Sequence, residues 1–305
     1  GVEGVWRFDS GASGEAVLIS ALIHGNELCG AWALKGLLEA GLRPARGTLT
    51  LAFANLAAFD RFDAADPDAA RFVGQDLNRQ WVPERIQAAD TLERRRAAAL
   101  APFVRRASWL LDLHSMHEPS APLLLTGLHQ RNVDLARSLR TPGHLVIDGG
   151  HQDGVRLRDF GRFGQPDHVA PETRSLLREC GFHGALSSRT VAQDMCLRFL
   201  QQAGALDGAA LDAALPGWRQ ADAPRQWALT VDGAVVARSE SFAFVRPFTG
   251  LERIEKAGTV IGHHDGPGQG EAARTPYDDC VLVMPSTRQA RAGVTVVRFA
   301  HQVAL

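Results

Sequence analysis

Apolar positions follow one pattern in the first two thirds of the chain. Nearly solid apolar runs at residues 16–23, 49–55 and 109–113 alternate with segments of helical spacing, such as residues 29–40 and the Ala-rich stretch before Trp109. Solid apolar runs predict strands that are buried on both faces. Because these strands alternate with helices, we expect an α/β fold with a mixed, mostly parallel sheet that is flanked by helices.

The pattern changes after residue 205. Residues 207–224 are rich in Ala, Asp, Gly and Pro, and the segments beyond them are short, rich in Val and Phe, and separated by turn residues. This pattern predicts a small antiparallel β domain. We therefore expect two domains, an α/β domain over residues 1–205 and a smaller β-rich domain over residues 206–305. The remaining predicted elements are strands at residues 122–126, 144–147, 176–180, 227–231, 234–238, 242–245 and 280–284 and a helix at residues 190–203.

The composition limits the classes of partner. The 305 residues are 45% hydrophobic, which allows a sizeable core, and the formal net charge is -1. A chain without net basic charge is not expected to bind nucleic acid or an anionic membrane, which favours a small-molecule partner. No apolar run in the sequence approaches the roughly 18 residues that span a bilayer, and the first residues lack the pattern of a secretory signal.

The cysteines bear on the compartment. Cys29, Cys180, Cys196 and Cys280 are scattered and show no CxxC spacing. This distribution argues against a disulfide framework and against a thiolate zinc site. We therefore expect a cytoplasmic protein, and the sequence leaves open whether it forms a homo-oligomer.

Polar side chains interrupt the apolar pattern at the ends of two predicted strands. His24 and Glu27 follow the run at residues 16–23, and His114 follows the run at residues 109–113. In open α/β sheets, ligands bind at the carboxyl ends of the strands. Two imidazoles and a carboxylate are suitable zinc ligands, and three protein ligands leave a position for water. We therefore predict a catalytic zinc site, with one ion per chain, at His24, Glu27 and His114.

Other residues near these positions offer alternatives. His117 or Glu118 could replace His114 as a ligand, although both lie beyond the predicted strand end. Asp112, which lies inside the strand, is better suited to a hydrogen bond with a metal-binding residue or within the core than to binding the metal itself. His263 and His264 flank a predicted turn and are expected to bind no metal. The Gly-rich residues 266–270 that follow lack the Lys and the helix of a phosphate-binding loop, so they predict a hairpin loop.

If the predicted zinc serves amide hydrolysis, the site needs three further groups. They are a base, a positive charge that stabilises the oxyanion, and a group that holds the substrate. The chain offers Arg71, Asn78 and Arg79 between the metal residues. Because arginine pairs bidentately with carboxylates, Arg79 is suited to anchoring a substrate carboxylate and Arg71 to polarising the reacting carbonyl. Glu179, near the end of an apolar run, suits a partly desolvated base.

The order and spacing of these residues resemble the succinylglutamate desuccinylase/aspartoacylase family, which belongs with the zinc carboxypeptidases of the carboxypeptidase A type. The resemblance rests on His24-x-x-Glu27, Arg71, Asp76-Leu77-Asn78-Arg79, Asp112-Leu113-His114-Ser115 and Leu177-Arg178-Glu179-Cys180-Gly181. It implies that His24, Glu27 and His114 bind zinc and that Glu179 is the general base. It also implies that Arg71 stabilises the oxyanion and that Asn78 and Arg79 hold the substrate carboxylate.

The implied function is hydrolysis of the amide bond of a small N-acyl amino acid, with the C-terminal domain narrowing access to the zinc. The chain departs from the family pattern in two places. Tyr277, the only tyrosine, does not align with the substrate-binding tyrosine of aspartoacylases. Residues 148–168, where family members carry substrate-selecting residues, contain Arg156, Arg158 and Arg162 in a different pattern. The resemblance therefore leaves the acyl group and the amino acid open.

Two alternative functions use the same scaffold. A metallocarboxypeptidase that acts on peptides would use the same residues. A non-catalytic metal- or ligand-binding protein would have lost the base or a ligand, whereas the sequence keeps Glu179 and all three metal residues. A serine hydrolase is not favoured, because Gly11-Ala12-Ser13-Gly14 lacks the Gly-x-Ser-x-Gly spacing.

Overall fold

The strands of the protein form one large sheet and one small sheet. The computed structural model describes residues 1–150, 153–288 and 290–305. The strands of these residues are β1 (Val5–Asp9), β2 (Ala16–Ala21), β3 (Thr48–Phe53), β4 (Trp109–Met116), β5 (Leu123–Leu125), β6 (His144–Ile147), β7 (Arg174–Phe182), β8 (Trp227–Val236), β9 (Ala243–Phe244), β10 (Glu252–Ile254), β11 (Val260–His263), β12 (Ala272–Arg274), β13 (Cys280–Val283) and β14 (Thr295–Ala304).

Helices connect the strands of the large sheet. The α-helices of the described residues are α1 (Leu28–Glu39), α2 (Leu56–Phe59), α3 (Pro83–Ala88), α4 (Leu92–Arg106), α5 (Gln130–Ser138), α6 (Ser187–Gln202) and α7 (Gly208–Ala214). Short 3-10 helices lie at Pro67–Ala70, Leu77–Arg79, Leu157–Asp159 and Gly161–Gly164. None of these helices is both long enough and apolar enough to cross a membrane.

The large sheet is mixed, and its strand order is β1-β3-β2-β4-β7-β5-β6-β8-β14-β13-β10. The central strands β3, β2, β4 and β7 run parallel to one another. They coincide with the apolar runs of the sequence, so the predicted α/β fold with a large sheet flanked by helices is confirmed. The predicted helices at residues 29–40 and 190–203 correspond to α1 and α6.

Alternate residues of β2 pack on opposite faces of the sheet. Val17 and Ile19 lie in an apolar cluster that includes Leu34 of α1 and Phe199 of α6. Leu18, between them, lies in a second cluster with Leu100 of α4. All six side chains are at most 3% exposed, and burying each contributes about 2 kcal/mol relative to leaving it in water. This two-sided burial explains why the strand is apolar at every position except Ser20.

The C-terminal strands continue the large sheet. The two predicted strands at residues 227–231 and 234–238 form one strand, β8, whose pairing with β14 shifts register near Asp232. β8 pairs in parallel with β6 and antiparallel with β14, so β14, β13 and β10 extend the same sheet. β12, β11 and β9 form a separate three-stranded antiparallel sheet. The domain boundary at residues 205 and 206 stays a prediction, because the large sheet runs across it.

Candidate metal centre and active site

The three predicted metal residues lie at the carboxyl edge of adjacent parallel strands. His24 and Glu27 follow β2, and His114 lies near the end of β4, which pairs with β2 in parallel from Val17 to Ala21. Helix α1 begins directly after Glu27 and packs closely on β4. A Cβ atom at Gly30 of this helix would lie 2.7 Å from the Cβ of Leu113, so glycine permits the close approach.

Glu27 lies between the two histidines. Its Oε1 is 2.7 Å from Nδ1 of His24, and its Oε2 is 2.7 Å from Nδ1 of His114. All three side chains are buried, and one ligand atom from each lies within 4.8 Å of the others. A single ion could therefore replace the contacts that now join the two imidazoles to the carboxylate.

The second nitrogen of each imidazole lies next to an aspartate. His24 Nε2 is 3.0 Å from Asp76 Oδ1, and His114 Nε2 is 2.8 Å from Asp112 Oδ2. Metal-binding histidines typically donate this second N–H to a carboxylate, which fixes the ring with the other nitrogen facing the metal. The residues thus fit a zinc ion, with Nδ1 of each histidine as the ligand atom. The sequence indicated the contact of Asp112 but gave no role to Asp76.

Charge pairing governs the ionisation of this group. Burial by itself would raise the pKa of Glu27, but the neighbouring His24 and His114 hold that pKa well below its usual range. Burial would lower the pKa of His114, but Asp112 and Glu27 raise it well above the usual value. The buried group is therefore built to hold a negative carboxylate next to positive charge, which a metal ion would supply.

Glu179 lies on β7 directly beside the metal residues. It is the cross-strand partner of His114 in the parallel β4–β7 pair. Its Oε2 is buried without a hydrogen-bond partner among the described residues. Burial raises the pKa of Glu179 to about 8, and the charge of Glu27 adds to the shift, while His114 opposes it. A carboxyl group with these properties can accept and return a proton near neutral pH.

Arg71 reaches the metal residues from the loop after the Pro67–Ala70 helix. Its NH1 lies 3.1 Å from Oε1 of Glu27. Its Nε is buried and lacks a hydrogen-bond partner within residues 1–150, 153–288 and 290–305. The guanidinium is thus held beside the candidate metal site with donor capacity left for a substrate oxygen.

Asn78 and Arg79 lie on the Leu77–Arg79 helix. Oδ1 of Asn78 accepts a hydrogen bond of 2.9 Å from the Leu157 backbone N–H, which fixes the amide. Arg79 donates from Nε to Asp153 at 3.1 Å and pairs with Asp76 at 3.8 Å. Asp76 therefore joins the His24 side of the candidate metal site to the predicted carboxylate-binding residues.

A cavity of about 610 Å³ connects these groups. His24, Glu27, Arg71, Asn78, Arg79, His114 and Glu179 all line it. Sequence reasoning gave no site role to four further charged residues that line the cavity, Asp148, Asp153, Arg156 and Arg298. Asp148 receives two hydrogen bonds from Arg156, at 2.8 and 3.2 Å, and lies 3.7 Å from Arg298. The only sequence feature that pointed to this cluster was the high density of arginines in residues 148–168, which includes Arg156.

The alternative ligands His117 and Glu118 line the same cavity but contact other residues. His117 contacts Asp68 at 3.3 Å, and Glu118 accepts a hydrogen bond from Arg288 at 2.8 Å. Within the part of the chain that the structure describes, the one metal-competent group is His24, Glu27 and His114, without His117 or Glu118. Tyr277 donates a hydrogen bond to Asp232 and is not among the residues that line the cavity.

The predicted hairpin loop at residues 266–270 is confirmed, because it joins the antiparallel strands β11 and β12. His263 is the last residue of β11, and the buried His264 packs against the ring of Phe242 with the centroids 5.4 Å apart. Of the three arginines noted in residues 148–168, Arg158 is fully buried and donates to Thr126 and Ser175. Arg162 pairs with Glu172 outside the cavity.

The chain is similar to known proteins in part of its sequence and in its fold. Residues 13–148 match the family model described as the succinylglutamate desuccinylase/aspartoacylase catalytic domain. Among solved structures, the chain is similar to succinylglutamate desuccinylase from Vibrio parahaemolyticus, with a TM-score of 0.66, 17% identity, and 98% of this chain and 86% of that chain covered.

Two further structures show the same fold. One is a succinylglutamate desuccinylase/aspartoacylase from Rhodobacter sphaeroides, with a TM-score of 0.65, 19% identity, and 96% of this chain and 87% of that chain covered. The other is an ectoine utilization protein from Ruegeria pomeroyi, with a TM-score of 0.62, 16% identity, and 95% of this chain and 86% of that chain covered. No curated protein matches the sequence.

Proposed function

Because residues 13–148 match the catalytic domain of the succinylglutamate desuccinylase/aspartoacylase family, we propose that the chain is a zinc-dependent hydrolase that cleaves the amide bond of a small N-acyl amino acid. The proposal rests most on one observation. The buried Oε2 of Glu179, which has no hydrogen-bond partner among the described residues, lies beside the His24–Glu27–His114 group in a cavity of small-molecule size.

His24, Glu27 and His114 would hold the zinc, with Asp76 and Asp112 orienting the two imidazoles. When bound, zinc would lower the pKa of a water molecule and polarise the substrate carbonyl. Glu179 would accept a proton from the attacking water and deliver it to the leaving amine. Such general acid–base catalysis contributes about 100- to 10,000-fold in rate.

Arg71 would donate to the oxygen of the substrate carbonyl as negative charge develops there. Its contact with Glu27 and its position in the cavity lining support this role. Asn78 and Arg79 would bind the carboxylate of the amino acid, because both line the cavity. Holding the substrate at both ends contributes to catalysis through orientation.

The proposed function is tested by metal analysis followed by a substrate screen. Purified protein should contain one zinc ion per chain by elemental analysis, and a panel of N-acetyl and N-succinyl amino acids should include a substrate that releases free amine. A panel of peptides, assayed for loss of the C-terminal residue, distinguishes a carboxypeptidase from the proposed deacylase. Zinc binding without cleavage in either panel would favour the non-catalytic binding protein.

A further inference from the structure

The cavity beside Glu179 has an ionic wall and an apolar wall. The ionic wall consists of Arg79, Asp148, Asp153, Arg156 and Arg298, in which Arg79 pairs with Asp153 and both Arg156 and Arg298 pair with Asp148. The apolar wall consists of Met116, Leu125, Leu177, Val231 and Met284, which line the same cavity and belong to a single apolar cluster of the protein.

The apolar wall adjoins the reacting centre. Leu177 lies two residues before Glu179 on β7, so both side chains leave the same face of the strand. Leu125 is directly opposite Leu177 in the antiparallel β5–β7 pair. Met116 lies two residues after His114 on β4. A substrate held at the candidate metal site would therefore place one of its substituents against these side chains.

Two residues of the apolar wall, Val231 and Met284, are only partly buried. Leu125 and Leu177 are 2% and 3% exposed and form its base. Val231 and Met284 pack on them but keep part of their side chains exposed towards the cavity. An apolar group of the substrate would cover this surface, and each buried methylene would strengthen binding by about three- to fourfold.

The ionic wall is suited to a single carboxylate. Its three arginines all line the cavity, and guanidinium groups pair well with a carboxylate. Arg156 and Arg298 both approach Asp148, and Arg79 approaches Asp153, so each arginine already has an acidic neighbour. A second carboxylate placed on the apolar wall would be desolvated beside Leu177 and Met284, which is strongly unfavourable.

We propose that the substrate of this site carries one carboxylate and a separate apolar group of four or more carbon atoms that binds against Met116, Leu125, Leu177, Val231 and Met284. The inference rests on the proposed function, because it assumes that an N-acyl amino acid is bound and cleaved. The apolar group is either the acyl chain or the side chain of the amino acid, and both place the same chemistry against the wall.

The test is a comparison of kcat/KM across matched substrates of the zinc-loaded wild-type protein. N-acetyl-, N-butyryl-, N-hexanoyl- and N-succinylglycine vary the acyl group, and N-acetylleucine and N-acetylglutamate vary the side chain. We expect at least a tenfold rise from N-acetyl- to N-hexanoylglycine or from N-acetylglycine to N-acetylleucine. The arm that rises identifies the part of the substrate that meets the wall.

A preference for N-succinylglycine or N-acetylglutamate, or a flat profile in both arms, would overturn the inference while leaving the proposed function intact. Failure to cleave every N-acyl compound would instead reject the proposed function and the inference with it. The two failures are therefore distinguishable in a single data set.

A variant pair ties the preference to the wall. Val231→Thr keeps the shape of the side chain but adds a hydroxyl group to the apolar surface. It should lower the ratio of kcat/KM for the preferred apolar substrate to that for N-acetylglycine by about threefold or more. Val303→Thr, at an exposed valine of β14, is the matched control and should leave the ratio unchanged. Equal ratios in the two variants would contradict the assignment of the wall.

Discussion

Asp112 and His114 lie two residues apart on β4, and their side chains meet at 2.8 Å between Oδ2 and Nε2. The contact turns Nδ1 of His114 towards Glu27, 2.7 Å away. Asp112 is fully buried, so its carboxylate has little alternative to this contact. The orientation of a candidate zinc ligand is thus fixed from within its own strand.

Asp112→Asn should weaken zinc binding by about 10- to 100-fold, because the amide loses the negative charge that orients and polarises the imidazole. Competition with a chromophoric chelator measures the change. Asp212→Asn, on the exposed face of α7, is the control and should bind zinc as tightly as the wild type. An unchanged zinc affinity of Asp112→Asn would show that the aspartate does not orient a ligand.

Glu179→Gln should lower kcat at least 100-fold while the protein keeps its zinc, because glutamine keeps the shape but cannot accept the proton. Burying a neutral amide costs less than burying a carboxylate, so the metal-free variant should melt at no lower temperature than the wild type. Calorimetry and elemental analysis accompany the assay. Glu172→Gln, at an exposed position before β7, is the control. Turnover of Glu179→Gln within a few-fold of the wild type would reject the general base.

Arg79→Lys should raise KM about tenfold or more with a smaller change in kcat, because lysine cannot pair with a carboxylate through two parallel hydrogen bonds. Steady-state kinetics with a monocarboxylate substrate and with its methyl amide separate this effect from a general loss of structure. In the variant, the KM values of the carboxylate and of its methyl amide should differ by less than they do in the wild type. Arg95→Lys, on the exposed side of α4, should leave both KM values unchanged.

The ionic wall predicts a dependence of stability on pH. Burial by itself would raise the pKa of Asp148, but Arg156, with Arg298 and Arg158 nearby, lowers it to about 2 from a usual value of 3.8. A lowered carboxylate pKa stabilises the folded state above the unfolded pKa, and this stabilisation is lost as the pH falls through the folded value. The contribution is about 2 kcal/mol.

Urea unfolding at a series of pH values measures this contribution of Asp148 to the free energy of unfolding. The free energy of unfolding of the wild type should exceed that of Asp148→Asn by a constant amount above about pH 4, and the gap should narrow by up to about 2 kcal/mol towards pH 2. A gap that stays constant throughout this range would mean that Asp148 titrates normally in the folded protein.

The sequence predicted the parts of the site that depend on strand order. His24 and His114 each follow a solid apolar run, and parallel neighbouring strands bring such positions to one edge. Glu179 was predicted from its position near a strand end and from the family pattern, and β7 places it opposite His114.

The sequence pattern did not predict contacts between residues that lie far apart along the chain. Asp76 reaches His24 across 52 positions from an irregular loop, and no local pattern encodes that contact. Arg298 enters the cavity because β14 pairs with β8, and β8 in turn joins β6. The short Val-rich segments indicated strands correctly but did not specify which strands they would pair with, because edge pairing depends on tertiary packing.

The most direct test of a zinc hydrolase at these residues is to titrate zinc into chelator-treated protein while measuring the hydrolysis of an N-acyl amino acid that the screen identifies. We predict no activity without metal, a linear rise as zinc is added, and a sharp plateau at one equivalent per chain. His114→Ala should show no such rise under the same conditions. Full activity of the metal-free protein, or an activity that zinc cannot restore, would contradict a zinc hydrolase at His24, Glu27 and His114.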